Sequence, residues 1–246
     1  MTRRILLAVL LALCAAPLRA VEVPLPPDPA AHARLYADLI SATTSGCTVR
    51  STVGPADTPL PLELSNFLLD HPDLSAYLVR VRRIAPYTIT MRSPRQSWAD
   101  DGDGTRGLIT LVERSATRRL YYGEGTHRSR FFPLLHASAV IEMDLAPATG
   151  ADGRPHTLTT FVVWVRMRSR IVAGLIRALK PFLRRTVTGK FTKAFFVADQ
   201  VGRLMAKDPA GVAADARAFP GMTPTERAAL DGMMRGLRAA RVDPGH

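Results

Sequence analysis

From Thr157 to Met167 the chain alternates, with Phe161, Val163, Val165 and Met167 on one side and Thr160, Val162, Trp164 and Arg166 on the other. A period of two over that length predicts a strand with one dry face. The period then changes. Val172, Ile176, Leu183, Val187, Phe191, Ala194, Ala198, Val201 and Met205 recur near the helical repeat, which predicts an amphipathic helix over 171–206. A second apolar line, Ile171, Leu175, Leu179 and Phe182, runs beside the first half of that stripe only. At 1.5 Å per residue such a helix measures about 50 Å, a length suited to lying across a curved sheet. Pro181 lacks an amide hydrogen and crowds the preceding turn, so a bend near 177–180 or a fresh start at Pro181 is expected.

Upstream, Tyr87, Ile89 and Met91 alternate with Thr88, Thr90 and Arg92, and this strand is read as ending near Trp98. Asp100-Asp101-Gly102-Asp103-Gly104 reads as a hairpin turn into a strand over 106–114. The same aspartates invite a calcium-loop reading, but Leu111 and Val112 stand where late ligands would fall. Further strands are read over 118–128 and 131–145, with a turn over 150–155. Ala137, Ala139, Ile141, Met143 and Leu145 share one face, opposed by His136, Ser138, Glu142 and Asp144. The result is an antiparallel meander of about five strands with one dry face. Before it come an extended, proline-rich lead-in over 21–29, a short helix through about Thr43 opened by Asp28-Pro29, a β-compatible stretch over 47–53, and two short helices meeting at Asp70-His71-Pro72-Asp73. After it, Thr223-Pro224-Thr225-Glu226 combines a cap, a proline at the first helical position and a capping-box glutamate, predicting one helix over 224–240 that packs on the domain.

Met1 to Ala20 carries Arg3 and Arg4, an apolar run from Ile5 to Ala16, and small residues at Ala15, Ala16 and Ala20. This is the layout of a secretory signal peptide, too short in its apolar run to span a bilayer, so a periplasmic or secreted location is expected. A twin-arginine reading of the same segment stays open. Its removal takes three basic and no acidic residues, lowering the net charge from +12 to +9. For an exported chain that basicity points to anionic membrane surfaces, acidic ligands or solubility, and away from nucleic acid. Cys47 is the one cysteine beyond the signal, so no internal disulfide forms and the fold rests on its apolar core.

The stretch 67–78 (Phe67-Leu68-Leu69-Asp70-His71-Pro72-Asp73-Leu74-Ser75-Ala76-Tyr77-Leu78), the strands that follow, and 174–185 (Gly174-Leu175-Ile176-Arg177-Ala178-Leu179-Lys180-Pro181-Phe182-Leu183-Arg184-Arg185) resemble the START-like superfamily, which includes polyketide cyclases and lipid-transfer proteins. The resemblance covers about Cys47 to Lys207 and is one of pattern more than of signature residues. It implies an α+β helix-grip fold, an antiparallel sheet curled around the long final helix with an apolar cavity between them. It also implies a lipid, sterol or aromatic polyketide as ligand. The chain then divides into a signal at 1–20, an extension at 21–46, a helix-grip domain at 47–207 and a tail at 208–246. The signal, the first helix and the tail depart from the family pattern.

Within this frame the residues expected to line the cavity are Tyr122, Glu124, Ile141, Phe161, Val163, Val165, Phe191 and Phe195. Gly123 and Gly125 inside a strand pattern mark a bulge or a close backbone approach. If Leu120, Tyr122 and Glu124 share the inner face, Glu124 is a carboxyl in an apolar cavity, and with His127 it is the acid/base candidate of a cyclase-type enzyme. The other reading of Glu124 is an ion pair with Arg128 or another surface arginine. No stronger catalytic set is present. The six histidines have no metal-ligand spacing, Gly-x-Ser-x-Gly is missing, and so is a glycine-rich phosphate loop, so neither metal nor cofactor is expected. Finally, Arg177, Lys180, Arg184 and Arg185 form a basic face in a stretch with no acidic residue between Asp152 and Asp199. That face is either solvated surface or a contact for anionic lipid headgroups.

Overall fold

The computed structural model describes residues 29–128, 134–168 and 173–242; the expected signal and lead-in lie outside them. The elements run α1 (Pro29–Ser45), β1 (Val49–Thr58), α2 (Leu62–Asp70), α3 (Pro72–Val81), β2 (Thr88–Ser93), β3 (Gln96–Asp100), β4 (Thr105–Arg114), β5 (Arg118–His127), β6 (Leu135–Thr149), β7 (Pro155–Met167), α4 (Ala173–Lys207), α5 (Pro209–Ala218) and α6 (Pro224–Val242). All seven strands form one sheet in the order β1-β7-β6-β5-β4-β3-β2, every neighbouring pair antiparallel. This is the expected α+β helix grip, with α4 laid against the concave face.

The count of strands exceeds the sequence expectation because 87–98 is a hairpin and not one strand. Ser93 pairs with Gln96 around Pro94-Arg95, and a proline with no amide hydrogen to give a ladder serves better in a turn. β1 also runs past Val53, through a bulge at Gly54-Pro55, to Thr58. α4 continues through Pro181 without the fresh start expected there. A further helix, α5, begins at Asp208-Pro209, where the Asp208 carboxylate accepts from the Gly211 amide. It carries the same cap-then-proline signal as Asp28-Pro29, but the reading of the tail assigned only one helix. The capping box of α6 forms as expected, with Thr223 N–H donating to Glu226 Oε2 at 2.7 Å.

The sheet is covered on both faces. On the concave side Val49, Leu135, Val163 and Val165 are buried with Phe161, Ile141, Val187 and Phe191 packed against them. On the other side α1 lies across the sheet, and Tyr36, Tyr122 and Val140 are buried together beside Leu39, Ile40 and Trp164. The largest cluster is helical. Val197, Val201 and Met205 of α4 meet Leu64, Leu74 and Leu78 of α2 and α3, with Val212, Leu230 and Met234 of α5 and α6. The last third of α4 is thus enclosed by helices, while its middle is the part that faces the sheet. Truncating a wholly buried side chain such as Met205 should cost about 2–5 kcal/mol.

Candidate functional site

Strand parity assigns each residue of β5 to a face. Tyr121 pairs with Ile141 and Gly123 with Ala139, while Tyr122 pairs with Val140 and Glu124 with Ser138. Ile141 and Ala139 belong to the face under α4, and Val140 belongs to the face under α1. Tyr122 and Glu124 therefore do share a face, but it is the one beneath α1. The concave set on β5 is Arg119, Tyr121, Gly123, Gly125 and His127. This corrects the expected cavity lining at two positions and parts Glu124 from His127, which lie on opposite faces.

Beneath α1, Tyr122 Oη donates to Glu124 Oε1 at 2.6 Å, and Arg168 pairs with the same carboxylate while reaching the Tyr122 oxygen at 3.3 Å. Burial, then the hydrogen bond to Glu124, pushes the Tyr122 phenol up to about 12. Glu124 is thus a paired carboxylate, as in the alternative reading, with Arg168 in place of Arg128. Tyr36 packs edge-on against Tyr122 with ring centroids 5.7 Å apart and donates to Thr110 Oγ1 at 3.2 Å, and Thr43 and Ser138 hydroxyls meet at 3.1 Å. These polar contacts fasten α1 to the sheet and fix its register.

The concave face is different in kind. Ile89, Met91, Ile109, Leu111, Tyr121, Ile141 and Phe161 share it by register and are all only half-buried, whereas Val163 and Val165 of β7 and Met143 and Leu145 of β6 are buried. α4 packs along β1 and leaves these half-buried side chains as the lining of an apolar cleft. Phe161 and Phe191 meet across it with centroids 6.0 Å apart. Of the expected lining, Ile141, Phe161, Val163, Val165 and Phe191 stand on this side. The Phe195 side chain lies outside the described residues. Ile89, Met91, Ile109, Leu111 and Tyr121 are on this face and were not among the expected lining.

The two strand glycines resolve into one close approach. Gly125 pairs with Gly107, and a Cβ added at Gly125 would stand 2.6 Å from the Arg106 carbonyl oxygen. At Gly123 the nearest atom would be 3.7 Å away, so no steric requirement exists there. The absence of side chains at both positions keeps the cleft floor low between Tyr121 and His127.

One end of the cleft is bridged. Lys190 of α4 donates to Asp101 Oδ2 and Asp103 Oδ2, each at 2.7 Å, and to the Asp103 carbonyl at 2.8 Å. The β3–β4 turn read from its aspartates thus holds an ammonium group, and among the described residues no cluster could hold a metal ion. Burial pushes the Asp101 carboxyl up, but hydrogen bonds from Lys190 and from the Thr105 and Asp103 amides outweigh it and hold the group below its ordinary value. His127 sits near this bridge, its Nδ1 3.0 Å from Thr105 Oγ1. Burial, then the Lys190 charge, lowers its basicity, so at neutral pH the imidazole is uncharged.

On the outer side of α4, Arg184, Arg185 and Lys193 are exposed, and Phe196 is 59 % exposed beside them. A groove along this face runs past Thr188 and Gly189. The side chains of Arg177 and Lys180 lie outside the described residues. Among the described residues no helix is long and apolar enough to cross a membrane.

No family model matches the sequence, and no curated protein matches it. Solved structures do show similarity. A conserved protein from Geobacillus kaustophilus has 13 % identity and a TM-score of 0.41, covering 63 % of this chain and 95 % of its own. Ara h 8.0201 has 15 % identity and a TM-score of 0.35, covering 61 % of this chain and 98 % of its own. Likenesses of this size bear on neither ligand nor activity.

Proposed function

We propose that this chain binds and carries a lipid-like hydrophobic small molecule, without catalysis, in the cleft between the concave face of the sheet and α4. The observation that carries this reading is the strip Ile109, Leu111, Tyr121, Ile141 and Phe161, apolar yet only half-buried, on the concave side of an otherwise well-packed fold. Half-covered apolar surface in a concavity favours an apolar occupant. The START-like resemblance agrees with this reading. The enzyme alternative, a polyketide cyclase or dehydratase acting on an aromatic substrate, loses its acid/base pair because Glu124 and His127 face opposite ways. Native mass spectrometry after gentle purification tests the proposal: a copurifying hydrophobic molecule supports it, and an empty protein that turns over an aromatic polyketide overturns it.

An exported carrier must meet a membrane, and the outer face of α4 is our choice for that contact. Arg184, Arg185 and Lys193 beside the exposed Phe196 combine charge attraction to anionic headgroups with an aromatic group able to enter the interface. Arg177 and Lys180 extend the same basic stretch in sequence. Each basic residue near an anionic surface contributes about 1 kcal/mol, screened over about 8 Å at physiological salt. Cosedimentation with anionic and neutral vesicles across a salt series should show salt-sensitive binding to the former alone. Changing Arg177, Lys180, Arg184 and Arg185 to glutamine should remove most of it. Indifference of the wild type to anionic vesicles at low salt would assign this face to solvent.

A further inference from the structure

α4 is held from both rims of the curved sheet, and by unlike means. β1 and β3 have β7, β6, β5 and β4 between them in the sheet. Even so, Thr188 of α4 meets Ser51 of β1, hydroxyl to hydroxyl at 2.8 Å, and two residues on Lys190 reaches the β3–β4 turn. Helix residues two apart project about 160° from each other, so these contacts leave α4 on opposite sides. Val187 and Phe191, one turn apart, point between them and pack with Val49, Val163 and Val165. α4 therefore lies as a bar across the concavity. α2 covers one end of it, where Ser65 donates to Thr157 Oγ1 at 3.0 Å and Arg119 to Asp70 Oδ1 at 2.6 Å. Lys190 spans from the bar to the rim formed by β3 and β4.

The two fastenings differ in what it takes to release them. On the β1 side, moving α4 away uncovers buried apolar surface at Val49, Val163 and Val165. On the β3–β4 side the bond is one ammonium group on a flexible stem, with Lys190 and Asp101 partly buried and Asp103 exposed. Water can take over each of its three hydrogen bonds as it opens. The turn is braced without Lys190: Asp101 Oδ1 accepts from the Asp103 and Thr105 amides at 2.7 and 2.9 Å, and Asp100 Oδ1 from the Gly102 amide at 2.8 Å. Opening on this side thus leaves both the apolar packing of α4 and the turn intact.

We propose that the bridge from Lys190 to Asp101 and Asp103 is a clasp that opens to let the ligand in and out, and so sets the rate of exchange and not the affinity. This rests on the concave cleft being the hydrophobic-ligand site. The bridge uses none of the apolar lining, so it forms alike over an empty and a filled cleft and adds nothing to the difference between them. It does stand between the closed form and the opened form through which an apolar molecule passes.

The test is stopped-flow fluorescence of N-phenyl-1-naphthylamine, an uncharged apolar probe, with the full chain and its variants. Lys190→Met should speed uptake and release alike by about tenfold, the factor for a barrier lowered by about 1.4 kcal/mol, and leave Kd within about twofold. Asp103→Asn, at an exposed position that does not endanger the fold, should speed both about twofold. Raising salt from about 0.01 M to about 1 M shortens the Debye length from about 30 Å to about 3 Å. That should speed release severalfold in the wild type and leave it unchanged in Lys190→Met, a difference that mere loosening of the fold does not produce. Release from Lys190→Met within about twofold of the wild type overturns the clasp and leaves the cleft standing. A loss of affinity of about tenfold with uptake unchanged makes Lys190 a ligand contact and overturns it too. Equal salt effects in the two proteins overturn it likewise. Failure of the wild type to bind the probe overturns the cleft reading and this one with it.

Discussion

Lys190 is the side chain that ties the middle of α4 to the far half of the sheet, and Lys190→Met removes the charge while keeping much of the stem. The size of the effect follows from exposure. Lys190 and Asp101 are 25 % and 22 % exposed, whereas Asp103 is 64 % exposed. Exposed pairs are worth about 0.2–1 kcal/mol, and removing one partner of a buried pair costs about 3–5 kcal/mol. The Asp101 contact falls between these limits and the Asp103 contact at the lower one, so Lys190→Met should cost about 2 kcal/mol, most of it through Asp101. For a chain of this length that lowers Tm by about 4–8 °C. Urea melts of Lys190→Met, Asp101→Asn, Asp103→Asn and the two double variants give the couplings directly. We expect about 1–1.5 kcal/mol for Lys190–Asp101 and less than about 0.5 kcal/mol for Lys190–Asp103. The pH dependence has a fixed sign. Asp101 and Asp103 are held below their ordinary 3.8, so their contribution is complete above that value and is lost as pH falls through the lower folded-state values. For Lys190, burial lowers the value but the two aspartates raise it further, to above its ordinary 10.5, so its contribution is lost only as pH rises beyond that. A coupling to Asp103 as large as that to Asp101, or a total cost under about 0.5 kcal/mol with the fold unchanged, would refute the argument from burial.

Two further outcomes concern the cleft floor. Gly125→Ala should cost about 1–3 kcal/mol, because its Cβ would stand 2.6 Å from the Arg106 carbonyl oxygen and 3.2 Å from Gly107 Cα, while Gly123→Ala should stay within about 0.5 kcal/mol; paired thermal melts check this, and equal costs would contradict the close approach. Phe161→Trp should reduce copurifying hydrophobic ligand, measured by native mass spectrometry, with little loss of stability. Unchanged loading with a destabilisation of about 1–3 kcal/mol would mean that the space beside Phe191 is solid core.

Much of the fold was legible because it is written in local periods. The alternation of 157–167, the helical repeat through Met205 and the Thr223–Glu226 capping box all depend on residues within a turn or two of one another, and each appears where the pattern puts it. Asp208-Pro209 was equally legible, since it repeats the Asp28-Pro29 pattern, and the helix read there does begin at Pro29. The site was less so. On β5, Leu120 and Tyr122 are apolar on one face and Tyr121 on the other, so both faces carry large apolar or aromatic side chains and alternation cannot say which one a helix covers. Only the arrival of α1 on one side and α4 on the other decided that Tyr121, and not Tyr122, looks into the cleft. Contacts between residues far apart in the chain follow the same logic. Nothing near Lys190 in sequence names Asp101 as its partner, and nothing near Arg119 names Asp70 and Asn66, because a salt bridge is chosen by where the backbone brings two charges and not by their spacing along it. The sequence by itself thus determined most of the elements and their amphipathic faces; tertiary packing alone decided which face meets which partner, and with it the lining of the cleft.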